Sequence, residues 1–428
     1  MKQAFKNIIV KLLWLQVARL RAKHKPITVA VAGSIGKTGT KTAIATVLSE
    51  HFKVQWQDGN YNDIVSVPLI FFGQKMPALY NPIGWLKVFA VSELYIQTNY
   101  KYQVVVVELG TDYRGNLDLF KKNISVDYGV LTAIAPEHME NFKDIDAVAD
   151  EELTIADIAT TVLVNTEVTD EKYIRRIKSP LTYGYDPKDT CSIQAETLTK
   201  DLKRPLRLRL VGAGEEFTCE VPLIGKQGLP AIAAATLLAH KLKLSKEEIG
   251  RGLDKLQPLQ GRMNPLKGVH GSLLIDDTYN SSPEAAIAAL DTLYEVDAKQ
   301  KIAVLGRMNE LGSYSRELHQ KVGDYCDPEK LDLLVTIGDD ANDYIAGSAE
   351  KRGCRVFRSP TPYHAADVVA SLIHSNTVVL AKGSQNGVYA EEAVKLLLKN
   401  SEDISKLVRQ SKSWLKIKED CFSIKQEQ

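Results

Sequence analysis

The sequence predicts an α/β protein. A central parallel-sheet domain built around a P-loop is followed by a second, Rossmann-like α/β domain, with a short N-terminal helix before both. Three observations predict it. Continuous Val-rich runs alternate with helical segments from residue 27 to about 190, the pattern of parallel strands buried on both faces. One such run passes through a glycine-rich turn straight into a helix over 29–50. A second series of short apolar strands and helices begins after residue 265.

Each element has its own justification. Over 1–26, Ile8, Ile9, Val10, Leu12, Leu13 and Trp14 are interleaved with Lys2, Lys6, Lys11, Arg19, Arg21 and Lys23, and no acid precedes Glu50. Lys11 and Gln16 break the apolar run, so it is too short to span a bilayer. No small-residue cleavage site marks a signal peptide. A basic amphipathic helix remains, either lying on a membrane surface or packed on the first domain with its lysines in water. Residues 27–32, 102–108, 128–134 and 161–165 read as strands of the first sheet. Between about 190 and 224 the pattern turns to alternation, at 207–210 and 217–221, and reads as antiparallel strands. An alanine-rich helix covers 229–242, and Ser245-Lys-Glu-Glu248 opens another. Residues 258–265 read as a linker, and 272–275, 301–305, 331–337 and 377–380 as strands of the second sheet. The expected domains are therefore 27–260 and 261–400, with a charged, mostly helical tail at 401–428 in which no chemistry is read.

Composition narrows the classes. At 428 residues the chain exceeds one ordinary core. With 25% charged and 44% hydrophobic residues it is typical of a globular protein. A net charge of +1 gives no field for a nucleic-acid partner. The five cysteines form no Cys-x-x-Cys pair, so neither zinc nor a disulfide framework is indicated. A cytoplasmic location is expected, peripheral to the inner membrane face if the first helix lies there.

The chemistry concentrates in a few strand ends. In Gly33-Ser34-Ile-Gly36-Lys37-Thr38-Gly39, glycines free backbone N–H groups to surround phosphate oxygens. Lys37 adds a point charge and Thr38 a hydroxyl for Mg²⁺. Two residues separate the first glycines where the common phosphate loop has four. Glu108, at the end of a Val-rich strand and followed by Gly110, lies where ligands collect in open sheets and could share that Mg²⁺. His138, just past another strand end, reads either as a metal or phosphate ligand or as a structural loop histidine. Asp276-Asp277-Thr278-Tyr279-Asn280 reads equally as a base, ribose or phosphate site and as an Asx turn with a helix cap. Gly306-Arg-Met-Asn-Glu310-Leu-Gly312 alone reads as a solvated connection, with His319 downstream.

Taken together these segments resemble the Mur ligase family, ATP-dependent enzymes that build the peptide of bacterial cell walls. The resemblance runs from about 27 to about 398, with the motifs in family order. Further echoes are Gly59-Asn60-Tyr61-Asn62-Asp63 with Val67-Pro68, Gly261-Arg262, Pro283, and Lys382-Gly383-Ser384. It implies an ATP-dependent carboxylate–amine ligase that joins a D-Ala-D-Ala-like dipeptide to a muramoyl peptide through an acyl phosphate. The implied partners are that peptide-bearing carboxylate and the amine, and the implied cofactors are ATP and Mg²⁺. By the same resemblance Lys37, Glu108, His138 and Glu152 are catalytic, and Thr38, Glu108 and His138 hold metal. Arg262, Asp277, Tyr279 and Asn280 join the loop residues in binding nucleotide. Asn60, Asn62, Glu310, Lys382 and Ser384 face the substrates. Closure of the two domains would exclude water.

Three departures stand out. The family carries a uridine-gripping domain before the phosphate loop, where here 26 residues precede the strand. The expectation is a substrate that is lipid-linked, lacks UDP or is held by another chain. Glu152 falls where the family has a carbamylated lysine, and reads either as a permanent anion in its place or as a solvated helical acid. Gln227, Gly228 and Ala231 replace the family's adenine-side residues, and Gln385 stands where an arginine is common. Two other readings stay open. One is a related ligase on an amino-acid polymer or a folate-like chain. The other is a non-catalytic nucleotide-binding partner of another ligase.

Overall fold

The computed structural model describes residues 2–57, 59, 61–196, 201–202, 204–212 and 215–423. The chain forms two compact units. One holds Met1–Gln194, Leu208–Cys219 and Leu229–Leu256, and the other holds Ala195–Arg207, Glu220–Gly228 and Gln257–Gln428.

The first sheet has nine strands: β1 (Ile27–Ala32), β2 (Val54–Gln55), β3 (Val104–Glu108), β4 (Val126–Leu131), β5 (Ala159–Asn165), β6 (Leu181–Gly184), β7 (Cys191–Ala195), β8 (Leu206–Gly212) and β9 (Glu215–Val221). Their order is β2-β3-β1-β4-β5-β6-β7-β8-β9. From β2 to β7 neighbours run parallel. Val29 to Ala32 and the four valines of β3 are fully buried, as continuous apolar strands covered on both faces must be. Register places Val31 opposite Glu108 and Ala32 opposite Leu131, so three strand ends open at one level. In β8, Leu206, Leu208 and Leu210 turn inward and Arg207 and Arg209 outward. Arg209 meets Glu216 of β9 at 2.6 Å.

The helices α1 (Lys2–His24), α2 (Lys37–Leu48), α3 (Val67–Phe71) and α4 (Pro82–Gln97) belong to this unit. One face of α1 is packed on protein: Ile9, Leu13, Trp14, Val17 and Leu20 are buried. The Trp14 ring meets Phe120 edge-on at 6.0 Å, and its Nε1 donates to the Ile64 carbonyl at 3.0 Å. Among the described residues no helix is long and apolar enough to cross a membrane.

The second sheet comprises β10 (Asn264–Lys267), β11 (Leu273–Asp277), β12 (Gln300–Gly306), β13 (Leu333–Ile337), β14 (Val356–Ser359) and β15 (Thr377–Lys382). Its order is β10-β11-β15-β12-β13-β14, and only β10 is antiparallel. Sequence periodicity misses β2, β6, β10 and β14, which have four residues or fewer, and the five-residue β7, which pairs parallel with β6. Such pieces are too short to show a period of two.

Candidate active site

The turn after β1 is shaped by contact with the turn after β4. Gly33 adopts φ +128, and a Cβ there would lie 2.3 Å from Thr132 Oγ1 and 2.8 Å from the Ala133 nitrogen. Ser34 N–H donates to the Ala133 carbonyl at 3.0 Å, and Ala135 N–H to Ser34 Oγ at 3.1 Å. Gly36, at φ +87, caps α2, so Lys37, Thr38 and Gly39 form its first turn. No side chain caps this helix, which leaves its N-terminal N–H groups and dipole for an anion. Lys37 Nζ folds back onto the loop, 3.2 Å from the Ser34 carbonyl and 3.7 Å from Glu137 Oε2. Burial pulls the Lys37 ammonium down, but the negative field of Glu137, then Glu152, Glu108 and Asp112, outweighs it and raises its pKa.

That field comes from buried acids. Glu108 ends β3, and its Oε2 lies 3.2 Å from Lys41 Nζ, a charge contact without hydrogen-bond alignment. Lys41 is fully buried. Of the two adjacent acids ending the helix Ile145–Glu152, Glu151 is structural. It accepts from Gly115 N–H at 2.6 Å and Leu117 N–H at 2.7 Å. Glu152 accepts from the Thr111 hydroxyl at 2.6 Å through one oxygen, and its other oxygen is buried with no hydrogen bond. Burial lifts the Glu152 carboxyl to about 7, with Lys37 and Thr111 pulling the other way. His138, at φ +53, holds Nε2 3.5 Å from Asp112 Oδ1. Asn62 packs on Gly110, whose N–H donates to the Asn62 carbonyl at 2.8 Å. Asn60 lies outside the described residues.

Does this chemistry suit Mg²⁺? One oxygen each of Glu108, Glu137 and Glu152 is buried and accepts no hydrogen bond. Hard, anionic, unsatisfied oxygens are what a divalent cation takes up. Among the described residues no three His, Cys, Asp or Glu side chains already form a metal cage. The acids therefore fit the ion as a charge-rich wall rather than as a finished ligand set.

In the second unit the strand ends carry another constellation. Asp277 ends β11 opposite Lys382 of β15. Lys382 Nζ is 2.6 Å from Asp277 Oδ2 and donates to the Asn280 carbonyl at 3.0 Å. The Asp277 Oδ1 accepts from Met263 N–H at 3.1 Å. Lys382, expected to face substrate, is thus buried in an ion pair that ties β11 to β15. The Arg262 guanidinium lies 4.2 Å over the Tyr279 ring. Asp276 is buried beneath, accepting from the Thr278 hydroxyl at 2.6 Å and Gly261 N–H at 3.2 Å, and burial pushes it up to about 7. Ser384 is buried; its Oγ accepts from Asn309 N–H at 3.0 Å and donates to the Ser281 carbonyl at 3.3 Å. Glu310 sits at φ +64. Gln227 is held by the Ala288 carbonyl at 2.6 Å and by Thr292 at 3.0 Å, a structural role.

Sequence reasoning passed over basic residues in both units, Lys41 in the first and Arg409 and Lys418 in the second. Arg409, in the tail, grips Glu391 through two 2.8 Å contacts. It also donates to the carbonyls of Thr278 at 2.6 Å and Tyr279 at 3.0 Å. Lys418 is buried against Glu391 at 2.8 Å and Glu392 at 2.6 Å. A basic residue in a charged tail gives no local signal of burial.

A model of the Mur ligase middle domain matches residues 31–239. A model described as Mur ligase, glutamate ligase domain matches 261–385. The UDP-N-acetylmuramoyl-tripeptide–D-alanyl-D-alanine ligase of Haemophilus influenzae is 26% identical over 387 residues, covering 86% of this chain and 76% of that one. A crystal structure of MurF from Acinetobacter baumannii superposes with a TM-score of 0.75 at 23% identity, covering 92% of this chain and 81% of that one. MurF from Thermotoga maritima, solved in complex with ADP, gives 0.73 at 22% identity, covering 93% and 84%. At those identities the structures establish a shared fold.

Proposed function

The chain belongs to the Mur ligase family of ATP-dependent enzymes, and from that premise we propose that it joins D-alanyl-D-alanine to the terminal carboxylate of a muramoyl tripeptide. The relatives that match most of its length bear that activity in their names. One observation carries the catalytic reading: an uncapped, glycine-shaped helix start with Lys37 beside it faces buried carboxylate oxygens that accept no hydrogen bond. A carboxylate is a poor acyl donor, so it is activated by phosphoryl transfer from ATP and the dipeptide amine then displaces phosphate. Such a transfer between anions needs alignment and charge neutralisation more than covalent help.

The roles follow from position. Backbone N–H groups of Gly33–Gly39 hold phosphate oxygens, and Lys37 swings from the Ser34 carbonyl to a phosphate. Thr38, Glu108 and His138 are the side chains that would hold Mg²⁺, whose bound charge offsets that of the phosphates. Glu152 stands beside them as a buried carboxyl lifted to about 7, which a bound cation would hold ionised. In the second unit Arg262, Tyr279 and Asn280 serve the nucleotide. Asp277 and Lys382 stiffen the strand ends beneath. Asn62 and Glu310 line the substrate side, while the buried Ser384 hydroxyl ties the loop at Asn309 to Ser281.

The test is a reaction of the full chain with ATP, Mg²⁺, a UDP-muramoyl tripeptide and D-Ala-D-Ala, followed by phosphate release and product mass. Product that requires all four components is expected. Nucleotide binding without phosphate release, with this pair or with a glutamate or folate-like carboxylate, would reduce the chain to a binding partner. Glu152→Gln keeps the Thr111 contact but removes the charge, and should cut turnover by roughly a hundredfold or more. Unchanged kinetics would remove Glu152 from the mechanism.

A further inference from the structure

The outer face of the first unit carries an unusual concentration of apolar side chains in water. On α1, Phe5, Ile8, Leu12 and Leu15 fall at helical spacing along one exposed line, flanking the buried line of Ile9, Leu13, Val17 and Leu20. On α4, Ile83, Leu86 and Leu94 are 79%, 70% and 60% exposed, opposite buried Trp85, Val88, Ser92 and Ile96. Met76 and Tyr80 in the preceding loop are also exposed. These nine are half of the exposed large apolar side chains among the described residues, and all fall within ninety residues of sequence. Scattered apolar exposure needs no explanation, but a concentration of this kind does.

Contacts between the two helices make this one face. Gln16 reaches the Phe89 carbonyl at 3.0 Å, Arg19 pairs with Glu93 at 2.7 Å, and Lys23 reaches the Gln97 carbonyl at 3.0 Å. The helices therefore run parallel, side by side. The same register, carried back one turn and then another, brings Leu12 level with Leu86 and Ile8 level with Ile83.

Charge says what covers it. No acidic residue occurs in 1–49 or in 64–92. Lys11, Lys75 and Lys87 are exposed among the apolar side chains. The one acid on α4, Glu93, is held by Arg19. Apolar side chains that enter an acyl boundary, ringed by lysines at headgroup level with an exposed tyrosine beside them, suit a bilayer surface. A second copy would bring equal positive charge against it. We infer that α1 and α4 together dock the enzyme on the surface of an anionic phospholipid leaflet, lying in the interface without crossing it. Docking of this kind is independent of which carboxylate the enzyme activates.

Co-sedimentation of the full chain with vesicles tests it, using phosphatidylcholine alone and phosphatidylcholine containing one third phosphatidylglycerol. Binding should be roughly tenfold or more tighter to the anionic vesicles and should weaken as salt rises. The variant L12S/I83S/L86S should lose roughly tenfold in binding while keeping its nucleotide affinity and most of its stability, since Ile83 and Leu86 are largely in water and Leu12 is 42% exposed. K11E/K87E, which leaves the apolar face intact, should lose the preference for anionic lipid. Absence of binding at low salt would overturn the inference, as would wild-type binding by both variants. A concentration-dependent dimer that the serine variant dissolves would also overturn it, by assigning the face to a second copy.

Discussion

Lys41 shows how a site can depend on a residue with no chemistry of its own. Its ammonium is fully buried and its partner Glu108 nearly so. Removing one member of such a pair leaves the other charge buried and uncompensated, at a cost of about 3–5 kcal/mol. Lys41→Met should therefore lower stability by that amount in urea unfolding. Adding Glu108→Gln to the same chain should recover most of the loss, and simple additivity of the two substitutions would contradict the pairing. The spacing of Lys41 along α2 was readable as a helix position, but not its burial, because that depends on β3. The neighbouring acids make the same point. Glu151 and Glu152 are alike in sequence, and only the N–H groups of Gly115 and Leu117 make one of them structural. His319 is a titrating counterpart in the second unit. Its Nε2 accepts from Met308 N–H at 2.9 Å, and its Nδ1 lies 2.7 Å from the Ser315 carbonyl. Those partners demand the neutral ring. Burial lowers its pKa, against the pull of the Ser315 carbonyl. With the folded value below the unfolded one, the unfolded chain binds more protons as pH falls below about 6.5. The His319 contribution to stability should accordingly drop between pH 7.5 and 5, while Asp276, lifted to about 7, works the other way, so a His319→Asn chain should gain stability relative to the parent over that interval in thermal melts.

Among the elements, the phosphate loop separates two uses of glycine that look alike in sequence. Gly33 is pressed on Thr132 and Ala133 at φ +128, whereas Gly39, inside the first turn of α2, has nothing within 4 Å of the place a Cβ would take. Gly33→Ala should destabilise the loop and abolish nucleotide binding, as a Cβ 2.3 Å from Thr132 Oγ1 has no room. Gly39→Ala should instead raise the melting temperature, with a gain of up to about 1 kcal/mol from helix propensity. If Gly39→Ala also loses nucleotide without losing stability, that glycine serves close approach of the phosphate rather than folding. Equal destabilisation by both substitutions would refute the distinction. Elements were legible from sequence in proportion to their length. The Val-rich strands β1 and β3 announced themselves, while β2, with two residues, could not. The tail helix Lys412–Ser423 was legible as a helix, but its link through Arg409 and Lys418 to Glu391 was not, since its charges looked solvated.

For the molecule as a whole, the linear reading placed one boundary near residue 260, and the chain does pass finally into its second unit at Gln257. Two earlier segments, Ala195–Arg207 and Glu220–Gly228, also belong to that unit, and the change of pattern between about 190 and 224 does not reveal that they join it. Leu202 and Ile224 explain the assignment, because both are buried in the cluster formed with Ile275, Leu290 and Leu305. The first unit has a separate core around Val105, Val107 and Leu131. Separate cores predict separable responses. A nucleotide that binds the phosphate loop stabilises the unit holding it by RT ln(1 + [L]/Kd), about 2.7 kcal/mol at a hundred times Kd. In calorimetry of the full chain, ATP should raise the transition that Lys41→Met lowers. Acidification through the His319 range should shift the other, and His319→Asn should change the size of that shift. A single transition moved equally by nucleotide, by Lys41→Met and by pH would show that the two cores melt as one, and the assignment of Lys37 and His319 to separate folding units would fail with it.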